Sequence, residues 1–127
     1  MLERTWRVLV ADDDPAVCAL IESVLRKGPF EIVSRYDARS ALAAVDRQDA
    51  FDMMICDVKL PDISGFDLVA RLRRDERTQG LPILMISGHV FSGIDVHAKN
   101  AGADVFLQKP FTVAALRNAV DALLRSN

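Results

Sequence analysis

Short apolar runs alternate along the chain with longer stretches in which apolar residues recur every three or four positions. Arg7-Val8-Leu9-Val10-Ala11 is the first run and reads as a strand. Asp14-Pro15 then starts a helix, with an N-cap acceptor followed by proline at the first helical position. Val17, Leu20, Ile21, Val24 and Leu25 keep helical spacing until Gly28-Pro29 stops it. Phe30 to Tyr36 is a second strand, of mixed polarity and so suited to a sheet edge. Asp37 is a cap for a helix from Ala38 to about Gln48, with Ala41, Leu42 and Val45 inward. Met53 to Asp57 is a third strand, apolar until its last residue and buried on both faces, and Pro61 rules out a helix running straight on from it. Ser64-Gly65-Phe66-Asp67 resembles a capping box with Asp in the fourth place. The helix it opens runs to about Arg77, burying Phe66, Val69 and Leu72 and turning Arg71, Arg73, Arg74, Asp75 and Glu76 to solvent. Leu81 to Ile86 is the fourth strand. Val90 to Asn100 is a weaker helix, because Gly93 and the β-branched residues lower its propensity. Ala103 to Gln108 is the fifth strand, and Thr112 caps a last helix with Val113, Leu116, Val120 and Leu123 on one side.

Strand and helix alternate five times, which predicts an α/β fold: one doubly wound parallel sheet with helices on both faces. The 127 residues fit one domain, 1–127, with one core. Half are hydrophobic and 27% charged, enough apolar surface to fold as a globule. A net charge of -2 offers no general attraction to nucleic acid or to an anionic membrane. No apolar run approaches the roughly 20 residues that span a bilayer. The first seven residues lack the apolar core of a signal peptide. Cys18 and Cys56 both fall in apolar elements and read as buried free thiols in a reducing compartment, so the expected location is cytoplasmic.

In a parallel sheet the carboxyl ends of the strands share one rim, where ligands bind. Asp12 and Asp13 follow the first strand, Asp57 ends the third, Ser87 follows the fourth, and Lys109 follows the fifth, a strand read as central. Topology gathers residues that are far apart in sequence. Two carboxylates about 4 Å apart repel by roughly 4 kcal/mol at an effective dielectric near 20. Lys109 offers one positive charge against three negative ones. Hard oxygen ligands of this kind suit Mg²⁺, which binds one or two carboxylates and shares phosphate oxygens. A carboxylate beside Mg²⁺ and a lysine is a candidate nucleophile toward phosphorus. The Lys109 ammonium and Ser87 hydroxyl are placed to hold the oxygens of the transferred group.

Four segments, Val8-Leu9-Val10-Ala11-Asp12-Asp13-Asp14-Pro15, Asp57-Val58-Lys59-Leu60-Pro61-Asp62-Ile63-Ser64-Gly65-Phe66, Ile86-Ser87-Gly88 and Lys109-Pro110-Phe111, occur in this order, each at a strand end. Together they resemble the receiver domain of bacterial two-component response regulators, of the chemotaxis-regulator type, over essentially the whole chain. The resemblance implies a flavodoxin-like (βα)5 sheet of strand order 2-1-3-4-5. It implies that Asp57 accepts phosphate from a sensor histidine kinase or histidine phosphotransfer protein. It further implies that Asp13, Asp57 and the Lys59 backbone carbonyl bind Mg²⁺ directly, with Asp12 acting mostly through water. Ser87 and Phe106 would act as the switch pair, Lys109 would pair with the phosphoryl oxygen, and the Lys109-Pro110 bond would be cis. The chain departs from the family at Phe106, where a tyrosine hydroxyl is missing. Lys59 and His89, two residues beyond Asp57 and Ser87, occupy the positions that tune dephosphorylation in the family.

Two other classes are weaker matches. A phosphatase of the haloacid dehalogenase type would take Asp12 and Asp14 as its acids, but Ala16 stands where that class wants Thr or Val. An FMN carrier would need a hydroxyl- and glycine-rich phosphate loop after the first strand. Three consecutive aspartates stand there instead. The expected role is therefore a phosphorylation-controlled signalling module, not an enzyme beyond its own phosphotransfer and dephosphorylation. Its expected partner surface is the face of the fourth helix, fifth strand and fifth helix. The target is either a separate protein or an output domain of a longer chain. Direct binding to nucleic acid or membrane is not expected, and the protein is expected as a monomer or a phosphorylation-dependent dimer.

Overall fold

Every residue of β3 (Met53–Asp57) and β4 (Ile83–Ser87) is buried, as unbroken apolar runs require of strands covered on both faces. The computed structural model describes residues 4–47 and 50–125. Among these, β3 and β4 join β1 (Trp6–Ala11), β2 (Phe30–Arg35) and β5 (Val105–Gln108) in one parallel sheet of order β2-β1-β3-β4-β5. The connecting helices are α1 (Pro15–Leu25), α2 (Ala38–Val45), α3 (Gly65–Arg74), α4 (Ile94–Ala101) and α5 (Val113–Arg125). This is the doubly wound, flavodoxin-like arrangement that the alternation and the resemblance predict.

The strand period of two divides the core. Leu9, Ala11, Met54, Cys56, Ile83 and Met85 face α2, α3 and α4, while Val8, Val10, Met53, Ile55, Leu84 and Ile86 face α1 and α5. Cys18 and Cys56 are buried free thiols, and burial pushes the Cys18 thiol up to about 11.

Caps match the sequence at four helices. Asp14 accepts from the Ala16 N–H, Asp37 from Ser40, Ser64 from Asp67 and Thr112 from Ala115.

Several element boundaries and faces differ from the sequence expectation. α1 is turned so that Cys18 packs inward and Leu20 stays 47% exposed. Val113, in the first turn of α5, is likewise exposed, while Leu116, Val120 and Leu123 are buried. Phe66 is only half-buried, lying against the His97 ring at 4.3 Å between centroids. α2 ends at Val45, and the expected end near Gln48 lies outside the described residues. α3 stops at Arg74 because the next turn is claimed by side chains. The Thr78 hydroxyl donates to the Leu72 carbonyl at 2.6 Å, and Asp75 is extended. Arg73 is not a solvated residue: it donates to the carbonyls of Gly102, Gln79 and Leu81 and pairs with Asp104. α4 starts at Ile94, four residues late, because Gly93 at φ 83 breaks the helical path and no side chain caps it. β5 is an edge strand, so Lys109 reaches the rim from the sheet border rather than from its centre.

One glycine is dictated by the site. A Cβ on Gly65 would lie 2.0 Å from the Asp57 carbonyl oxygen, and the Gly65 N–H donates to the Val58 carbonyl at 2.6 Å. The β3–α3 loop therefore folds back onto the strand that carries Asp57. Gly65→Ala is expected to destabilise the protein by about 3 kcal/mol, at the upper end for overpacking because the clash is with backbone. A denaturant midpoint equal to wild type would show that the loop can move aside.

Candidate functional site

Strand register brings the rim residues together. Ala11 pairs with Cys56, so Asp12 emerges beside Asp57. Asp57 pairs with Ile86, and Ser87 pairs with Gln108, so Ser87 and Lys109 follow on the same edge. The Lys109 N–H donates to the Ser87 carbonyl at 2.8 Å, carrying the pairing one residue beyond β5.

Asp12 is fully buried and Asp57 is 5% exposed, while Asp13 is open to solvent. Lys109 Nζ lies 2.8 Å from Asp12 Oδ2 and 3.2 Å from Asp57 Oδ2. The other oxygens are also engaged: Asp12 Oδ1 accepts the Asp14 N–H at 2.9 Å, and Asp57 Oδ1 accepts the Lys59 N–H at 3.3 Å. Burial, and then the charge of Asp12, raise the Asp57 carboxyl above its ordinary 3.8, against the pull of Lys109 and the Lys59 N–H. Burial alone would lower the Lys109 ammonium, but its hydrogen bond to Asp12 and the two acidic charges outweigh burial and raise it. Burial leads the rise at Asp57, and the one ammonium beside it does not cancel that rise. Lys109 is shared between two acids and sits closer to Asp12, so Asp57 is left under-compensated.

One oxygen each from Asp12, Asp13 and Asp57 lie within 4.8 Å of one another. Three carboxylates facing one ammonium leave a net negative pocket whose donors are all hard oxygens. That donor set fits a small divalent cation.

The structure unites Asp12, Asp13, Asp57 and Lys109, and the other predicted residues lie around them. Ser87 is buried, and its hydroxyl is bonded to the His89 backbone, accepting the N–H and donating to the carbonyl, each at 3.1 Å. Phe106 is half-buried against the α3 and α4 side of the core. Lys59 and His89 are exposed and line a shallow groove of about 470 Å³ together with Ser87, Phe66 and Phe91. The Lys109-Pro110 peptide is cis. Sequence reasoning named Asp62 only as part of a motif. Its carboxylate accepts the N–H groups of Ala38 and Arg39 on α2. A lone acid in a loop carries no local signal for a partner two dozen residues away.

The response regulator receiver domain family matches residues 8–121. The chain is 37% identical over 120 residues to the DNA-binding dual master transcriptional regulator RpaA of Synechocystis sp., covering 94% of this chain and 49% of that protein. It is 27% identical over 123 residues to chemotaxis protein CheY-3 of Vibrio cholerae, covering 97% of this chain and 95% of that protein. The chain thus spans about half the length of the transcriptional regulators it matches and nearly all of the chemotaxis protein. Among solved structures it is similar to chemotaxis response regulator CheY4 of Vibrio cholerae, with a TM-score of 0.88 at 28% identity, covering 95% of this chain and 100% of that one. No helix among the described residues is long and apolar enough to cross a membrane. With the match taking in β2 to β5, most of β1 and every rim residue described above, this chain belongs to the response regulator receiver domains of two-component signalling.

Proposed function

We propose that this receiver is switched by phosphorylation of Asp57 and passes the change to a partner through the face formed by α4, β5 and α5. The observation that carries this reading is the single Lys109 ammonium hydrogen-bonded to both Asp12 and Asp57, with Asp13 alongside. A phosphohistidine on a sensor kinase or phosphotransfer protein is the donor. One Asp57 carboxylate oxygen attacks the phosphorus, the O–P bond forms as the N–P bond breaks, and the imidazole nitrogen keeps the electron pair. Lys109 exchanges its bond to Asp57 for one to a phosphoryl oxygen and so stays charge-compensated. Asp12, Asp13, Asp57 and the Lys59 backbone carbonyl are the groups that would hold Mg²⁺. When bound, that ion neutralises the acids and the phosphoryl oxygens. Ser87 leaves the His89 backbone to donate to the phosphoryl group, and Phe106 turns into the space it vacates. Lys59 and His89 set the lifetime of the acyl phosphate from the groove beside it. The protein acts in the cytoplasm, as a monomer or a phosphorylation-dependent dimer, on a protein target or an attached output domain.

Acetyl phosphate with Mg²⁺ is expected to add one phosphoryl mass to the protein, removed by hydroxylamine and absent from Asp57→Asn. Labelling of Asp57→Asn at the wild-type level would overturn the assignment. Lys59→Ala is expected to change the decay rate of the labelled protein about threefold or more, the size of effect that an exposed charge interaction of roughly 0.2–1 kcal/mol produces. An unchanged decay would remove Lys59 from the mechanism.

Metal-free stability tests the electrostatics independently. Because the folded pKa of Asp57 is raised, its ionised form opposes folding at neutral pH. That opposition fades as pH falls through the folded value toward 3.8. Asp57→Asn is therefore expected to melt higher than wild type at pH 7 without metal, by about 4 °C per kcal/mol in a domain of this size. The gap should close toward pH 4. A lower melting point for Asp57→Asn at pH 7 would mean that Lys109 fully compensates both acids.

A further inference from the structure

Asp62 lies in the turn between β3 and α3, yet its side chain is bonded to a different element. Its Oδ1 accepts the Ala38 N–H at 2.9 Å, and its Oδ2 accepts the Arg39 N–H at 2.8 Å. These are the first two residues of α2, whose N–H groups no carbonyl of the helix can reach. Asp37 caps the helix locally, accepting the Ser40 N–H at 2.7 Å. Asp62 adds a bidentate tie from outside, and the Ala38 N–H foremost holds its carboxyl below the usual carboxylate range. A carboxylate is also well placed at the positive end of a helix.

The loop so tied is the one that frames Asp57. Lys59, three residues before Asp62, donates its N–H to Asp57 Oδ1 at 3.3 Å. The loop is fixed at its two ends by the Val58 N–H on the Ile86 carbonyl and the Gly65 N–H on the Val58 carbonyl, and Leu60 is buried. Asp62 fastens the tip between them. A stretch held at its ends and its tip presents the Lys59 peptide in one orientation. Outer-shell partners that orient ligating groups commonly change metal affinity by an order of magnitude.

We propose that Asp62 is a positioning residue: by clamping the β3–α3 loop to the amino end of α2, it holds the Lys59 peptide beside Asp57 and raises the affinity of the acidic site for a divalent cation. This rests on the reading of Asp12, Asp13 and Asp57 as a metal site.

The test is calorimetric titration of the whole protein with Mg²⁺, unphosphorylated, alongside amide hydrogen exchange without metal. Asp62→Asn and Asp62→Ala are expected to speed exchange at Ala38 and Arg39 and to weaken Mg²⁺ binding about three- to tenfold. Asp67→Asn removes an equal charge from the neighbouring turn and is expected to bind Mg²⁺ like wild type. Melting curves confirm that each variant is folded, and the milder Asp62→Asn serves should the alanine variant unfold. The inference is overturned if the Asp62 variants release Ala38 and Arg39 while Mg²⁺ affinity stays at the Asp67→Asn level, for Asp62 is then a helix cap only. If wild-type protein fails to bind Mg²⁺, the metal reading itself falls and this inference falls with it.

Discussion

One ammonium group stands between two buried carboxylates at the end of the sheet. Lys109 Nζ is within hydrogen-bond distance of both Asp12 and Asp57, and neither acid has solvent to fall back on. Burying a carboxylate is expensive unless it is paired, and here one cation serves two. Asp12 takes the shorter bond and a backbone N–H as well. Asp57 is left with the longer contacts and a raised pKa. A carboxylate in that condition is stabilised by added positive charge nearby.

The sheet makes this imbalance possible. Four chain segments contribute to the rim, and their relative heights are set by parallel register rather than by the residues themselves. The Ala11–Cys56 and Ser87–Gln108 pairs fix where Asp12 and Lys109 emerge. Gly65 then lets the next loop close over the Asp57 backbone, where any side chain would collide. Arg73 does comparable work at the far end of α3, gathering carbonyls from the approach to β4 and from the end of α4. Core and site are thus not separable: the strands that fill the interior also aim the acids.

Much of this was legible in the chain itself. The apolar runs of the third and fourth strands could only be buried strands, and five alternations of strand and helix left a parallel sheet as the economical solution. Strand ends then named Asp12, Asp13, Asp57, Ser87 and Lys109. Boundaries were less legible where side chains override propensity. Thr78 and Arg73 end α3 early by capturing carbonyls, and the left-handed Gly93 delays α4. Faces were misread at Leu20 and Val113, since periodicity marks a stripe but not which neighbour covers it.

By itself the sequence determined the fold class, the rim and the chemical types gathered there, because local propensity, hydrophobic period and the fixed hand of parallel crossovers act on residues close in the chain. Tertiary structure alone decided how the charges are shared: that Lys109 favours Asp12, that Ser87 is turned to the His89 backbone, and that Asp62 is bonded to α2. Those outcomes depend on ångström-scale distances between segments tens of residues apart, and no pattern along the chain encodes such distances.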